Sequence, residues 1–283
     1  MSTLSASVGQ WYWKVLSSYK VNKVRTWCHG VLQPCKDPRI VWVFGCQRSG
    51  TTMLRNFIGF DPRVNDQGEG DPPFFQQLPV ENLQYLRLHP DAEVARLLAA
   101  QRSQVVLLKP LHDSQRASSL LNAFPRSKGI WIFRHYREVI LSHLTYYKGR
   151  YEAFPYLRDL FEMNQESWKA EGLGGEMRSF ILENKALATT PTAAFALFWL
   201  ARNSLLFDQD HPDLIAVNYH SLVEQPARSL ELLGRHIALD LNDAYARFPQ
   251  RVDREKPLPD AIPDPILDAC EKMWQRLKSR SAI

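Results

Sequence analysis

Four short apolar runs, each followed by helical periodicity, outline the chain. Residues 41–44 (Val-Trp-Val-Phe) lead into a loop of Gly, Ser and Thr, after which apolar positions take a helical spacing. Residues 105–108 form a second run with turn material behind it, the pattern of a strand buried on both faces. A third run covers 130–133 and a fourth 214–217. Between them, Val94, Leu97 and Leu98 mark a helix over 91–101, and Ala117, Leu120, Leu121 and Phe124 mark another that stops at Pro125. Residues 136–147 read as a third helix. From 151 to 207 the spacing is helical throughout, broken at Gly172, Gly174 and Gly175. Pro226 opens a helix through Leu230, Leu233 and Ile237, a position that suits its fixed φ and missing N–H. Residues 61–77, rich in Asp, Pro and Gly, read as a loop. Strands alternating with helices predict an α/β fold: three layers around a central parallel sheet, with ligands at the carboxyl ends of the strands. The expected organisation is one domain over 1–283. It has a helical extension at 1–38, a core at 39–148 and 211–283, and a helical insert at 149–210 placed as a lid over the ligand edge.

Composition narrows the classes. A chain of 283 residues, 45% hydrophobic, buries one substantial core. Its longest apolar run, 193–201, is far short of the roughly 20 residues that span a bilayer, so no transmembrane segment is expected. Trp11, Trp13, Val15 and Leu16 suggest an amphipathic N-terminal helix, and Lys14, Lys20, Lys23 and Arg25 interrupt any signal-peptide core. Packing of that helix on the domain is the favoured reading, with weak membrane contact the alternative. Cys28, Cys35, Cys46 and Cys270 make neither a disulfide framework nor a zinc set, which fits a reducing, cytoplasmic setting. The net charge of +5 is scattered rather than gathered into the stripe that nucleic-acid binding uses. An anionic small molecule accounts for it equally well.

The chemistry concentrates in Gly45-Cys46-Gln47-Arg48-Ser49-Gly50-Thr51-Thr52. A strand, a Gly-containing loop and a helix start aim backbone N–H groups at one spot, which is how proteins hold phosphate. The spacing approaches the ATP-binding P-loop, but Thr51 stands where that motif has lysine, and the cation has moved upstream to Arg48. A second segment, Phe133-Arg134 through Ser142, puts a guanidinium at a strand end and a hydroxyl about two turns into the next helix. Two anion sites on one edge suit a nucleotide phosphorylated at both ends.

These segments resemble the sulfotransferases that use 3′-phosphoadenosine 5′-phosphosulfate (PAPS). Residues 47–52 resemble that family's 5′-phosphosulfate loop, and 133–142 its 3′-phosphate motif. Residues 107–112 with 121–125, and 217–226, resemble its middle strand and helix and its downstream tyrosine segment. The match runs in order from about Val41 to Leu239. His135-Tyr136 departs from the family's frequent Asp-Pro after the arginine, and Arg48 is similar to the tyrosylprotein branch rather than to the lysine of many cytosolic members. The resemblance implies a transferase moving a sulfuryl group from PAPS to a hydroxyl of a small molecule, sugar or lipid. Ser49, Gly50, Thr51 and Thr52 would hold the 5′-phosphate, Arg48 assisted by Lys109 would stabilise the transferring group, and Arg134 and Ser142 would grip the 3′-phosphate. No metal is expected.

Two residues compete for the role of base. Glu69 matches the distance from the loop at which the tyrosylprotein branch has its glutamate, and His112 is similar to the histidine of the small-molecule branch. Histidine is the easier base near neutral pH, but the loop's likeness favours Glu69. Phe74, Phe75, Tyr146, Tyr147, Tyr151 and Phe154 flank the expected acceptor opening, where ordinary core packing competes with ligand contact. Arg251, Arg254 and Lys256 are late basic residues that a 3′-phosphate or plain solvent would suit. Two other readings remain: an ATP-dependent small-molecule kinase, weakened by the missing P-loop lysine and Walker-B aspartate, and a non-catalytic binder of the desulfated nucleotide PAP.

Overall fold

The computed structural model describes residues 19–68, 73–80, 83–146, 152–241 and 256–282. Helix α1 (Tyr19–Leu32) precedes β1 (Arg39–Gly45), α2 (Thr51–Gly59) and β2 (Val64–Asp66). A hairpin of β3 (Phe75–Val80) and β4 (Leu83–Leu88) follows, then α3 (Asp91–Ala99), β5 (Val105–Leu108), a 3-10 turn (Leu111–Arg116) and α4 (Ala117–Ala123). Next come β6 (Lys128–Phe133), α5 (Tyr136–Tyr146), α6 (Ala153–Phe161), α7 (Gly175–Asn184) and α8 (Pro191–Ser204). The chain closes with β7 (Leu214–Asn218), α9 (Tyr219–Glu224), α10 (Pro226–Ile237) and α11 (Asp264–Arg280).

Five strands form one parallel sheet in the order β2-β5-β1-β6-β7. The sheet is buried on both faces, so its strands are apolar at every position rather than at alternate ones. Val41, Val43, Val105, Leu107, Ile130 and Ile132 face α2 and α10, while Trp42, Phe44, Val106, Leu108, Trp131 and Phe133 face the larger helical layer. The α/β class and the central parallel sheet are therefore as the sequence pattern implies. In the larger layer α8 is buried from Thr192 to Ser204. Its start is fixed by Pro191 in the first turn and by Thr190, whose hydroxyl accepts from the Ala193 N–H at 3.2 Å.

Residues 61–77 are not the plain loop that their Asp, Pro and Gly content implies. Val64–Asp66 adds an edge strand to the sheet, and Phe75 begins the antiparallel hairpin, with Phe75 opposite Leu88. A three-residue strand is too short to show periodicity, and Pro79 inside β3 is tolerated because a two-stranded ribbon has free edges. The helical stretch from 151 also contains irregular chain between α6 and α7. The last helix, α11, packs on α8 and β7, closing the core with Ile266, Cys270, Met273 and Leu277. The N-terminal residues Trp11, Trp13, Val15 and Leu16 lie outside the described residues.

Candidate functional site

The loop from Gly45 to Gly50 joins the carboxyl end of β1, at the centre of the sheet, to α2. Its shape needs unusual backbone at three positions: φ is +134° at Gly45, +68° at Arg48 and +93° at Gly50. A Cβ on Gly45 would stand 2.3 Å from the Ile132 carbonyl oxygen, and one on Gly50 would strike the Tyr219 ring at 2.2 Å. Glycine is thus required by sterics at both ends of the turn. Gly50 caps α2 without a side chain, so the first amides of that helix have no capping partner from the chain at that residue. Among the described residues the fully buried Ser49 hydroxyl has no hydrogen-bond partner beyond the nearby Cys46 thiol. The Gln47 amide is buried with neither its nitrogen nor its oxygen partnered among the described residues. Uncapped amides and orphaned polar atoms around one loop fit an oxygen-rich anion.

Cations surround this loop. Arg48 donates from Nε to the Ser142 hydroxyl at 3.0 Å, and its guanidinium lies 4.1 Å from the centre of the Tyr146 ring. Lys109, one residue past β5 and buried, donates to the Thr52 hydroxyl at 3.2 Å. Arg134, one residue past β6, sits 4.3 Å above the Tyr219 ring and donates to Glu138 at 3.0 Å. Glu138 also binds His220 at 2.5 Å. Burial would raise the Glu138 pKa, but His220 and Arg134 outweigh it and hold the carboxyl below its ordinary range. Glu138, Ser142 and Tyr146 follow one another at four-residue steps, so one stripe of α5 serves both arginines.

The structure therefore brings Arg48, Ser49, Gly50, Thr51, Thr52, Lys109, Arg134 and Ser142 to the carboxyl ends of three adjacent strands. It pairs Ser142 with Arg48 rather than with Arg134. Sequence reasoning gave no role to Tyr219, Glu138, His220 or Gln47. Tyr219 was within reach, because it lies two residues past the fourth predicted strand. Glu138 and His220 are 82 positions apart and meet only through the fold.

His112 lies in the 3-10 turn beyond β5. Its Nδ1–H donates to the Leu86 carbonyl at 3.1 Å, and its ring stacks on Trp168 with centroids 4.3 Å apart. Burial first, then the charges of Arg202, Arg87 and Lys169, lower its pKa to about 3. Glu69, Tyr147, Tyr151, Arg251 and Arg254 are outside the described residues. Phe74 and Phe75 are core residues, Phe154 is exposed, and Lys256 is an exposed residue. Among the described residues no group of three or more His, Cys, Asp and Glu side chains is placed to share a metal ion. No helix among them is long and apolar enough to cross a membrane.

No family model matches the chain, and no curated protein matches it. Solved structures do. The sulfotransferase domain of the Synechococcus PCC 7002 olefin synthase is 17% identical, with a TM-score of 0.42 over 86% of this chain and 97% of that one. The sulfotransferase domain from the curacin biosynthetic pathway is 17% identical, with a TM-score of 0.45 over 87% and 98%. A sulfotransferase from Alicyclobacillus acidocaldarius is 13% identical, with a TM-score of 0.47 over 86% and 94%. Likeness at this level does not carry an activity to this chain.

Proposed function

We propose that the protein is a sulfotransferase that moves a sulfuryl group from PAPS to a hydroxyl of an acceptor, by in-line displacement, in the cytoplasm. One observation carries the reading: Arg48 and Lys109 flank an uncapped helix start, while a further guanidinium, Arg134, ends the neighbouring strand across the Tyr219 ring. A nucleotide with phosphate at both the 5′ and 3′ positions matches two cationic sites on one sheet edge. A donor phosphorylated only at the 5′ position leaves the second one idle.

The α2 amides with Ser49, Gly50, Thr51 and Thr52 hold the 5′-phosphate. Arg134 holds the 3′-phosphate, exchanging its Glu138 contact for it, and Ser142 supports this side while also orienting Arg48. The bound donor supplies an activated sulfuryl group. Arg48 and Lys109 spread the charge that builds up as the sulfur changes partners, a task of positioning and electrostatics. Glu69 takes the acceptor's proton. The low proton affinity of His112 and its bond to Leu86 support Glu69 over it and leave His112 a positioning role. Residues 149–210 supply the acceptor side of the pocket.

The test is thermal. PAP should raise the melting temperature by several degrees where ATP with Mg²⁺ does not. Arg134→Ala should abolish most of the PAP shift while leaving that of adenosine 5′-phosphosulfate, which lacks the 3′-phosphate. A larger shift with ATP and Mg²⁺ would replace this reading with a kinase. PAP binding without turnover on any hydroxyl acceptor would make the protein a nucleotide sensor.

A further inference from the structure

Helix α1 is built inside out. It lies along β2 at the open edge of the sheet and turns a small, polar face inward. The buried Thr26 hydroxyl donates to the Val64 carbonyl at 3.2 Å. Buried Gly30 lies against Arg102, where even a Cβ would come within 3.3 Å. The apolar residues point away from the protein: Val24, Trp27, Val31 and Leu32 are 61%, 69%, 46% and 79% exposed, and Cys28 is exposed among them. Positions 24, 27, 28, 31 and 32 follow the i, i+3, i+4, i+7, i+8 spacing by which a helix normally faces a core. Here that stripe is exposed, while Thr26 on the opposite side serves the edge strand and Gly30 packs on Arg102. A contiguous apolar stripe of this kind marks an interaction surface.

Charge identifies the partner. The first 36 residues hold five basic side chains (Lys14, Lys20, Lys23, Arg25 and Lys36) and no Asp or Glu, leaving 30 basic and 30 acidic residues for the rest. The chain's entire formal excess therefore belongs to α1 and its flanks. A second copy docked α1 to α1 would set two segments of the same positive sign together. An anionic bilayer offers both what the stripe lacks and what the charges attract, with tryptophan at home in the headgroup layer.

We propose that the outward face of α1 docks the protein on an anionic membrane surface, lying in the interface without crossing it. The full chain should sediment with phosphatidylcholine vesicles containing phosphatidylglycerol, much less with phosphatidylcholine alone, and should be released by added salt. Trp27→Glu combined with Leu32→Glu changes only exposed side chains, so its melting temperature should match the parent. Its bound fraction should fall at least about tenfold. Three results would overturn the proposal. One is a parent protein that stays in the supernatant with both vesicle types. Another is a double variant that binds as the parent does. The third is a concentration-dependent dimer, seen by light scattering, that the variant abolishes, which would assign the face to a second copy. None of these readouts depends on nucleotide binding.

Discussion

At the scale of single residues, the decisive contrast is between His112 and Glu69. A histidine that is neutral at pH 7 is usually the preferred base, yet the setting of His112 works against it. Its Nδ1–H is committed to a carbonyl, and gaining a proton on Nε2 would place a buried charge close to Arg202, Arg87 and Lys169. His112→Asn keeps a donor for Leu86 and should retain turnover within about tenfold, whereas Glu69→Ala should lower kcat by about 10²–10⁴-fold. Steady-state rates with saturating PAPS check both. Retained rate in the glutamate variant, or collapse in the asparagine one, would reverse the assignment. The candidates themselves came from the resemblance to the sulfotransferases, which places a glutamate and a histidine at these positions. The loop's likeness already favoured Glu69, and the surroundings of His112, assembled from residues as far away in sequence as Arg202, add a separate reason.

At the scale of elements, the carboxylate of Asp113 joins three pieces of chain. It accepts from the Leu88 N–H of β4 at 2.9 Å and from Arg87 Nε at 2.8 Å, while Arg87 reaches Glu171 at 2.9 Å. The hairpin, the 3-10 turn bearing His112, and the irregular chain before α7 are thereby locked together. Asp113 is 1% exposed, so Asp113→Ala leaves a backbone donor and a guanidinium without their shared acceptor. The expected cost is about 3 kcal/mol, read from urea unfolding. An unchanged midpoint would mean that the clamp contributes nothing. The hairpin was hidden from sequence reading for a related reason. Among the described residues its strands pair only with each other, and they take their place from side-chain bonds to distant elements, so no run of local periodicity announces them. The helices, by contrast, carry their stop and start signals with them, as Pro125, Pro191 and Pro226 illustrate.

At the scale of the whole molecule, stability should depend on pH through histidines buried as neutral rings. Burial is the main cause for both His112 and His143, with Arg202 acting on the first and Arg48 on the second, and each is lowered to about 3. An unfolded histidine titrates near 6.5. The folded pKa lies below the unfolded one, so the unfolded chain binds more protons across the interval. Stability is therefore complete above about pH 6.5 and falls as pH drops toward about 3, with a slope of up to about two protons from this pair. Unfolding free energy measured from pH 7.5 to 5 should decline, and His112→Asn should make the decline shallower. A flat profile would show that these rings are reached by water. Glu138, held below the usual carboxylate range, adds stability that is present above the ordinary glutamate pKa of about 4.3 and is lost as pH falls below it.

The sequence by itself determined the parallel sheet, because strands buried on both faces must be apolar at every position. It also marked out the loop after β1, because Gly, Ser and Thr set between an apolar run and a helical spacing form a local pattern. Only the tertiary structure decided that Arg48 takes Ser142 while Arg134 takes Glu138 and Tyr219, and that α1 turns its apolar stripe outward. Local spacing records which face of a helix is apolar, but not what stands opposite it. That is settled by contacts between residues far apart in the chain.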